Sequence, residues 1–230
     1  NDLISTYVQE PLKAIIGANI FAVVILYVII MLFWCVGIHG NNMVSAVKES
    51  IFTPMVVENM DAFSKGQEAP NALNITMMQM FAEWGGSGVT LALVVAIFIF
   101  GKREDNRAIA TLSVVPGMFN INETVTFGIP LVLNPILDIP FILAPIVCDL
   151  IGYFCVCVIK IIPPVAYSVA WTTPGFLTPF LGSGANNVMS LVIGILCLIV
   201  STIIYLPFVA ASTRAAIKKE AEEAAGENNA

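Results

Sequence analysis

The sequence predicts an all-α integral membrane protein with several transmembrane helices and two re-entrant helical hairpins. Of its 230 residues, 58% are hydrophobic and only 11% are charged, and the mean hydropathy is +0.88. Soluble domains carry about 25% charged residues and about 45–50% apolar ones, so this chain lacks the polar surface of a water-soluble globule. A bilayer core about 30 Å thick needs about 20 helical residues, and residues 14–38 contain no charge at all.

Composition also argues against several other classes. The formal net charge is −6 without a basic stripe, which disfavours a nucleic-acid-binding protein. The five cysteines lie inside apolar runs, where they are interpreted as small buried hydrophobic residues. Cys155 and Cys157 lack the spacing and the further ligands of a zinc site, so neither a metal nor a cofactor is predicted. Because the chain starts with Asn1-Asp2 and not with Met, we interpret it as a piece of a longer protein.

The first elements are an interfacial helix and a transmembrane helix. Residues 1–13 place apolar side chains at positions 3, 4, 7 and 8, a helical stripe that predicts an interfacial amphipathic helix. A membrane-embedded domain is expected over residues 14–213, beginning with the span at 14–38. Residues 43–83 carry charges of both signs and are expected to form a water-facing or interfacial excursion, with short helices near 44–52 and 73–83.

Three further spans are predicted at residues 84–101, 139–162 and 188–211. The first opens with glycines at 85, 86 and 88; without a GK[ST] ending this tract is not a phosphate loop, and it favours close packing. Basic residues cluster at 102–107 and at 214–219, which indicates the cytoplasmic side. Residues 214–230 are accordingly predicted to be a cytoplasmic tail.

Two apolar segments are broken by proline and glycine. Pro116-Gly117 and Gly128-Ile129-Pro130 interrupt residues 108–137, and several prolines interrupt residues 163–187. Irregular backbone at membrane depth is tolerated only where it is buried in protein or lines a cavity, so each segment is expected to form a re-entrant hairpin. Paired interruptions of this kind indicate the binding site of a transporter.

The candidate binding residues lie in the first broken segment. Glu123 is a carboxylate in an apolar region, where an ionised group costs about 2.5–3.5 kcal/mol on insertion scales. With Asn120 and Asn122 it offers the acceptors and donors that bind a polyol. The alternative is that Glu123 only accepts hydrogen bonds from the backbone of its own turn.

Three ring-bearing side chains complete the list of candidates. His39 is the single histidine, and it either donates a hydrogen bond to a sugar hydroxyl, acts as a base, or is an ordinary interfacial histidine. Trp171 is a candidate platform for stacking against a sugar, with a membrane-interface position as the alternative. For Trp34 the interface position is preferred.

At residues 119–135, Phe-Asn-Ile-Asn-Glu-Thr-Val-Thr-Phe-Gly-Ile-Pro-Leu-Val-Leu-Asn-Pro closely resembles a signature of the membrane C subunit of bacterial phosphotransferase-system sugar permeases. Trp-Cys-Val-Gly-Ile-His-Gly at 34–40 and Thr-Thr-Pro-Gly at 172–175 resemble two further signatures, and the lactose/cellobiose/diacetylchitobiose group is the most similar. Thr124 stands where the family usually has proline.

The resemblance implies both a site and a function. Glu123 and His39 would hold the sugar near the hydroxyl that becomes phosphorylated, as the residues nearest the chemistry, with Asn122 beside them. The chain would be the C-terminal half of a permease in the bacterial plasma membrane, and the intact subunit a homodimer. It would import a β-linked disaccharide, and a phospho-cysteine on a separate B subunit would pass on the phosphate of phosphoenolpyruvate.

Two other functions stay open at this point. One is a proton-coupled secondary sugar transporter that uses Glu123 as the proton carrier, and the other is a purely structural membrane subunit. Whether the chain itself counts as an enzyme is undecided, because the phosphoryl group would come from the B subunit.

Overall fold

The computed structural model describes residues 19–165 and 167–227, and the regular elements in these ranges are all helical. The α-helices are α1 (Ile20–Cys35), α2 (Gly40–Met43), α3 (Ser45–Ser64), α4 (Ile75–Ala82), α5 (Thr90–Phe100), α6 (Glu104–Met118), α7 (Glu123–Gly128), α8 (Pro135–Tyr153), α9 (Thr178–Gly182) and α10 (Val188–Glu227). A 3₁₀ turn at Ser87–Val89 precedes α5, and a π-helical turn at Phe154–Val158 continues α8. The interfacial helix predicted at residues 1–13 lies outside the described residues.

Within the described residues, three apolar helical stretches are long enough to cross a membrane, which confirms the predicted all-α membrane protein. They are Thr76–Phe100, Pro135–Val158 and Val188–Glu223. Helix α10 packs along both α5 and α8, and the Tyr205 hydroxyl in its middle donates a hydrogen bond to the Gly88 carbonyl at 2.7 Å. The three stretches therefore form one packed bundle.

Helix α1 is shorter than the charge-free run that predicts it. The Asn19 side chain caps its first turn by accepting a hydrogen bond from the Phe21 N–H at 2.9 Å. Gly37 ends it with a φ of +82°, a left-handed conformation that glycine adopts without steric cost. The described helix thus has 16 residues where 25 uncharged ones are available.

The segment at 43–83 contains the two predicted helices, but only the first of them has an exposed face over most of its length. Helix α3 spans 20 residues through Pro54, well beyond the predicted end at residue 52. Helix α4 is instead part of the core, with Met77, Met80 and Phe81 fully buried. The prediction of a water-facing or interfacial excursion is therefore wrong for α4. The charges of the segment are concentrated in α3 and the following loop, while α4 is apolar.

The second span is a discontinuous helix. Its apolar stretch begins at Thr76, earlier than the predicted start at residue 84, because α4 belongs to it. Between Ala82 and Ser87 the chain leaves the helix, and Glu83, Trp84, Gly85 and Gly86 form the break.

Helices α6 and α7 pack against each other and are joined by a four-residue turn. Helix α6 continues through Pro116 to Met118, which corrects the predicted interruption there. Only two helical residues follow this proline, so little of the helix depends on the backbone donor that proline lacks. The second broken segment is largely irregular up to α9. Whether either segment re-enters the membrane stays a prediction.

Helix α10 has 40 residues and continues far beyond the predicted span. Ion pairs one turn apart support its last part, Lys218 with Glu222 at 3.6 Å and Lys219 with Glu223 at 3.8 Å. Arg103 connects it to the loop before α6 through Glu220 at 2.5 Å and Asp105 at 2.6 Å. The guanidinium hydrogen bonds also hold the pKa of the Asp105 carboxyl below its ordinary value.

Candidate functional site

A cavity of about 750 Å³ opens between the break in the second span, helix α3 and the turn between α6 and α7. Its wall includes every residue that the sequence analysis selects for substrate binding, namely His39, Asn120, Asn122, Glu123 and Trp171. Residues separated by 132 positions in the chain are thus brought to one cavity by the folding of its broken segments. Pockets that bind small molecules have about 300–1,000 Å³, so this cavity has the size of a solute site.

His39 and Glu123 face each other across a gap. The imidazole Nε2 lies 3.8 Å from the Glu123 Oε1, and the two side chains are 40% and 48% exposed. The Asn42 backbone N–H donates to the His39 Nδ1 at 3.3 Å. In the neutral imidazole the proton is therefore on Nε2, which is a donor that faces the carboxylate.

Trp34 supports the His39 ring from inside the protein. The two ring centroids are 4.4 Å apart and the planes are tilted by 48°. Because Trp34 is only 1% exposed, the preferred interpretation of this residue as a membrane-interface anchor is wrong. The indole fills the space between α1 and the site, since the turn after α1 folds back over it.

Asn120 joins three separate parts of the cavity wall. Its Oδ1 accepts a hydrogen bond from the Gly85 N–H at 3.1 Å, and its Nδ2 donates to the carbonyls of Trp171 at 2.8 Å and Thr173 at 2.9 Å. Both amide donors are thereby used by the protein. Asn120 also has a φ of +63°, and asparagine tolerates this left-handed region better than most residues.

Asn122 and the glycine tract hold the tip of the α6–α7 turn. Asn122 is 4% exposed, and its Nδ2 donates to the Ser87 carbonyl at 3.3 Å. A Cβ on Gly86 would lie 2.7 Å from the Asn120 carbonyl oxygen, and Gly86 has a φ of +89°. The tract therefore serves the close packing that the sequence favours, here between the broken span and the turn.

Trp171 also lines the cavity, where it is 64% exposed. Its carbonyl is fixed by Asn120, so the backbone that carries the indole is anchored to the same turn as Glu123. This position suits the predicted stacking against a sugar ring, which stays a prediction.

A second polar group of the wall was missed by the sequence analysis. Glu83 sits in the break of the second span, where its Oε1 accepts a hydrogen bond from the Tyr27 hydroxyl at 3.0 Å. Next to it, the Asn41 Nδ2 donates to the Ser87 Oγ at 3.0 Å. The charged neighbours of Glu83 in the sequence predict a water-facing or interfacial position for this residue. The available signal was its position directly before Trp84 and the glycines, the same pattern of a carboxylate beside a helix break that singled out Glu123.

The described residues contain no group of three or more His, Cys, Asp or Glu side chains that could hold a metal ion. The five cysteines are free thiols; four are buried and Cys157 is partly buried. None of them lines the cavity.

An all-helical membrane bundle with a polar cavity built from a discontinuous helix and a helix–turn–helix tip has the architecture of a membrane transporter. The family model described as "Phosphotransferase system, EIIC" matches residues 2–145. The chain belongs to this family. As a member of a family of bacterial membrane transporters, it is located in the plasma membrane.

Similar proteins support the same assignment. The oligo-beta-mannoside-specific EIIC component of Bacillus subtilis is 33% identical over 231 residues, which cover 100% of this chain and 52% of that protein. The cellobiose-specific EIIC component of Lactococcus lactis is 35% identical over 93% of this chain and 47% of that protein. Among solved structures, ChbC, the IIC component of an N,N'-diacetylchitobiose-specific phosphotransferase system, matches with a TM-score of 0.88 and 35% identity, over 95% of this chain and 50% of that one. The chain spans about half the length of these relatives.

Proposed function

We propose that this chain is the sugar-binding and translocation domain of a permease of a phosphoenolpyruvate-dependent phosphotransferase system. The permease would import a β-linked disaccharide with coupled phosphorylation. Its partners would be the disaccharide, a phosphorylated B subunit of the same system, the lipid bilayer and a second copy of the intact subunit. The family assignment supports this proposal, as do the names of the relatives, which include cellobiose and oligo-beta-mannoside transporters.

The observation that carries the proposal is the gap between His39 and Glu123. Their facing atoms are 3.8 Å apart, too far for a direct hydrogen bond. A hydroxyl oxygen placed in this gap fits about 2.8 Å from both atoms, the ordinary length of such bonds. One sugar hydroxyl would then receive a hydrogen bond from Nε2 and donate one to the carboxylate.

We infer different roles for the two residues. Because the Nδ1 of His39 already accepts the Asn42 N–H, the ring faces the sugar as a donor, and His39 positions the hydroxyl. Glu123 faces the same hydroxyl as an acceptor, so it is the base. The hydroxyl oxygen would attack the phosphorus of the phospho-cysteine on the B subunit, the carboxylate would take the hydroxyl proton, and the P–S bond would break to release a thiolate.

The remaining wall would select and hold the sugar. Glu83 offers a second carboxylate acceptor, and Asn122 keeps the tip of the turn in place. Asn120, whose two donors are occupied, would contribute chiefly by fixing Trp171 against the cavity. The two broken segments would act as re-entrant hairpins around the substrate, which is supported by the position of the α6–α7 turn at the cavity wall.

Steady-state phosphoryl transfer from the phosphorylated B subunit tests these roles. The intact protein is reconstituted with cellobiose as the acceptor, under conditions where the chemical step limits the rate. Glu123→Gln should lower the rate at saturating sugar by about 10²–10⁴-fold, the usual contribution of a general base. His39→Gln should instead raise the KM for cellobiose with little change in the saturated rate, as expected when a binding interaction is removed.

Glu68→Gln is a matched control, since Glu68 is exposed on the loop after α3 and does not line the cavity. A wild-type rate and KM in Glu123→Gln would remove this residue from the reaction. The reverse pattern, with the large rate loss in His39→Gln, would make the imidazole the base.

The proton-coupled alternative is not favoured by the comparisons, because the relatives named above are components of phosphotransferase systems. It makes an opposite prediction about energy supply. Uptake into cells that depends on phosphoenolpyruvate supports the proposal, whereas uptake abolished by an uncoupler and indifferent to phosphoenolpyruvate contradicts it.

A further inference from the structure

Lys48 introduces a cation into a cavity wall that otherwise carries negative charge. The ionisable side chains of the wall are His39, Lys48 and the three carboxylates Glu49, Glu83 and Glu123. The Nδ1 of His39 accepts a backbone N–H. Among the described residues that line the cavity, Lys48 is the single lysine or arginine.

The Lys48 ammonium has donors to spare. It donates one hydrogen bond, to the Asn41 Oδ1 at 3.3 Å, and an ammonium group has three N–H donors. No carboxylate of the described residues lies within ion-pair distance of it. This contrasts with Lys65 at the other end of the same helix, which pairs with Asp61 at 2.6 Å.

Helix electrostatics do not account for a lysine at this position. Lys48 lies in the first turn of α3, which begins at Ser45. Cations are unfavourable at the positive end of a helix, where acidic residues are preferred, and this first turn contains no acidic residue. The charge is therefore placed against the preference of its own helix and towards the cavity.

The chemistry of the proposed function brings an anion into this cavity. A phosphate monoester carries about −1.5 to −2 charges at neutral pH, and it would enter a wall that already holds three carboxylates. Without a cation in the wall, the phosphorylated product would be repelled from the place where it forms. Asn41, which accepts from Lys48, also donates to the Ser87 Oγ in the broken span. The Ser87 carbonyl in turn accepts from Asn122, the residue before Glu123, so the ammonium is connected through hydrogen bonds to the turn that carries Glu123.

We propose that Lys48 binds the phosphate group of the newly phosphorylated sugar. The inference rests on the proposed function, since it takes the phosphorylated sugar as the product formed in this cavity. The phosphate oxygens accept hydrogen bonds from the two free N–H groups of Lys48, while the sugar itself stays on Glu123 and His39. Lys48 thereby discriminates the phosphorylated sugar from the free one.

Calorimetric titration of the protein in detergent, at its full natural length, tests this assignment. The two probes are cellobiose and cellobiose phosphorylated at a primary hydroxyl, each titrated into wild type, Lys48→Gln, Lys48→Arg and Lys65→Gln. Lys48→Gln should weaken binding of the phosphorylated sugar about 10–100-fold more than binding of cellobiose, the range for losing hydrogen bonds to a charged group. Lys48→Arg should recover most of the loss, because it keeps the charge, and Lys65→Gln should bind both probes like wild type.

The outcomes separate this proposal from the one on which it rests. If wild type binds neither probe, the sugar-binding function fails. If wild type binds both and Lys48→Gln weakens them by the same factor, Lys48 is a sugar ligand or a structural residue, and the proposal is overturned. Failure of Lys48→Arg to recover binding would likewise overturn it, since charge would not be what the site uses.

Discussion

Asn120 allows the sharpest test of how this cavity is held together. Its side chain makes three hydrogen bonds, to Gly85, Trp171 and Thr173, and its backbone has a φ of +63°. Asn120→Ala removes all three bonds, each worth about 1 kcal/mol. It also replaces asparagine, which tolerates the left-handed region, with alanine, at a further cost of about 1 kcal/mol. The expected loss of unfolding free energy is therefore about 4 kcal/mol.

A second substitution separates the two contributions. Asn120→Gly also loses the three bonds but adopts the positive φ without strain, so it should be about 1 kcal/mol more stable than Asn120→Ala. Both variants should also bind cellobiose more weakly, because the segment that carries Trp171 loses its connection to the turn. The matched control is Asn106→Ala near the start of α6, the helix that precedes the turn with Asn120. It should unfold like wild type, because within the described residues Asn106 donates from its backbone N–H to the Asp105 Oδ1, a bond that alanine keeps.

The measurement is equilibrium unfolding in mixed micelles, followed by tryptophan fluorescence, together with calorimetric titration of the sugar. If Asn120→Ala and Asn120→Gly both lose less than about 1 kcal/mol, the three hydrogen bonds do not hold the cavity wall together. Equal losses of several kcal/mol would show that the bonds matter and that the backbone conformation does not.

Two further predictions concern the broken span and the helix extension. Gly86→Ala should destabilise the protein by about 2 kcal/mol or more. The added Cβ would lie 2.7 Å from the Asn120 carbonyl oxygen, and the backbone of Gly86 has a φ of +89°. An unchanged unfolding curve would contradict the close packing of the tract. The pKa of Asp105 is lowered by its hydrogen bonds with Arg103, so its stabilising contribution is present above the ordinary aspartate pKa and is lost as the pH falls through the lowered value. The loss of unfolding free energy should be below about 1 kcal/mol because the pair is exposed. Between pH 6 and about pH 3, which is below the unperturbed aspartate pKa of about 3.9, wild type should lose more stability than Asp105→Asn.

Glu123 is predictable from the sequence because a carboxylate is unusual where it stands. A carboxylate between two proline- and glycine-containing breaks has a high cost unless it lines a cavity, and this argument selects Glu123 from local sequence alone. It does not select Glu83, because charged neighbours on one side of this residue make the same carboxylate look ordinary. The interface interpretation of Trp34 failed for a related reason: a tryptophan at the end of an apolar run suits a membrane interface as well as a buried position, and only the fold of the following turn distinguishes the two.

The sequence by itself determined that this is a helical membrane protein. A chain with 11% charged residues and long continuous uncharged runs can satisfy its backbone donors and acceptors in a bilayer by forming helices. It also determined which short segment carries the polar chemistry. Only the tertiary structure decided that His39 and Glu123 face each other at 3.8 Å. It also decided that Asn120 connects its own turn by hydrogen bonds to the glycine tract and to the segment of Trp171, and that Lys48 lines the same cavity. These contacts join positions far apart in the chain, and their distances depend on how the broken helices pack, which no local periodicity encodes.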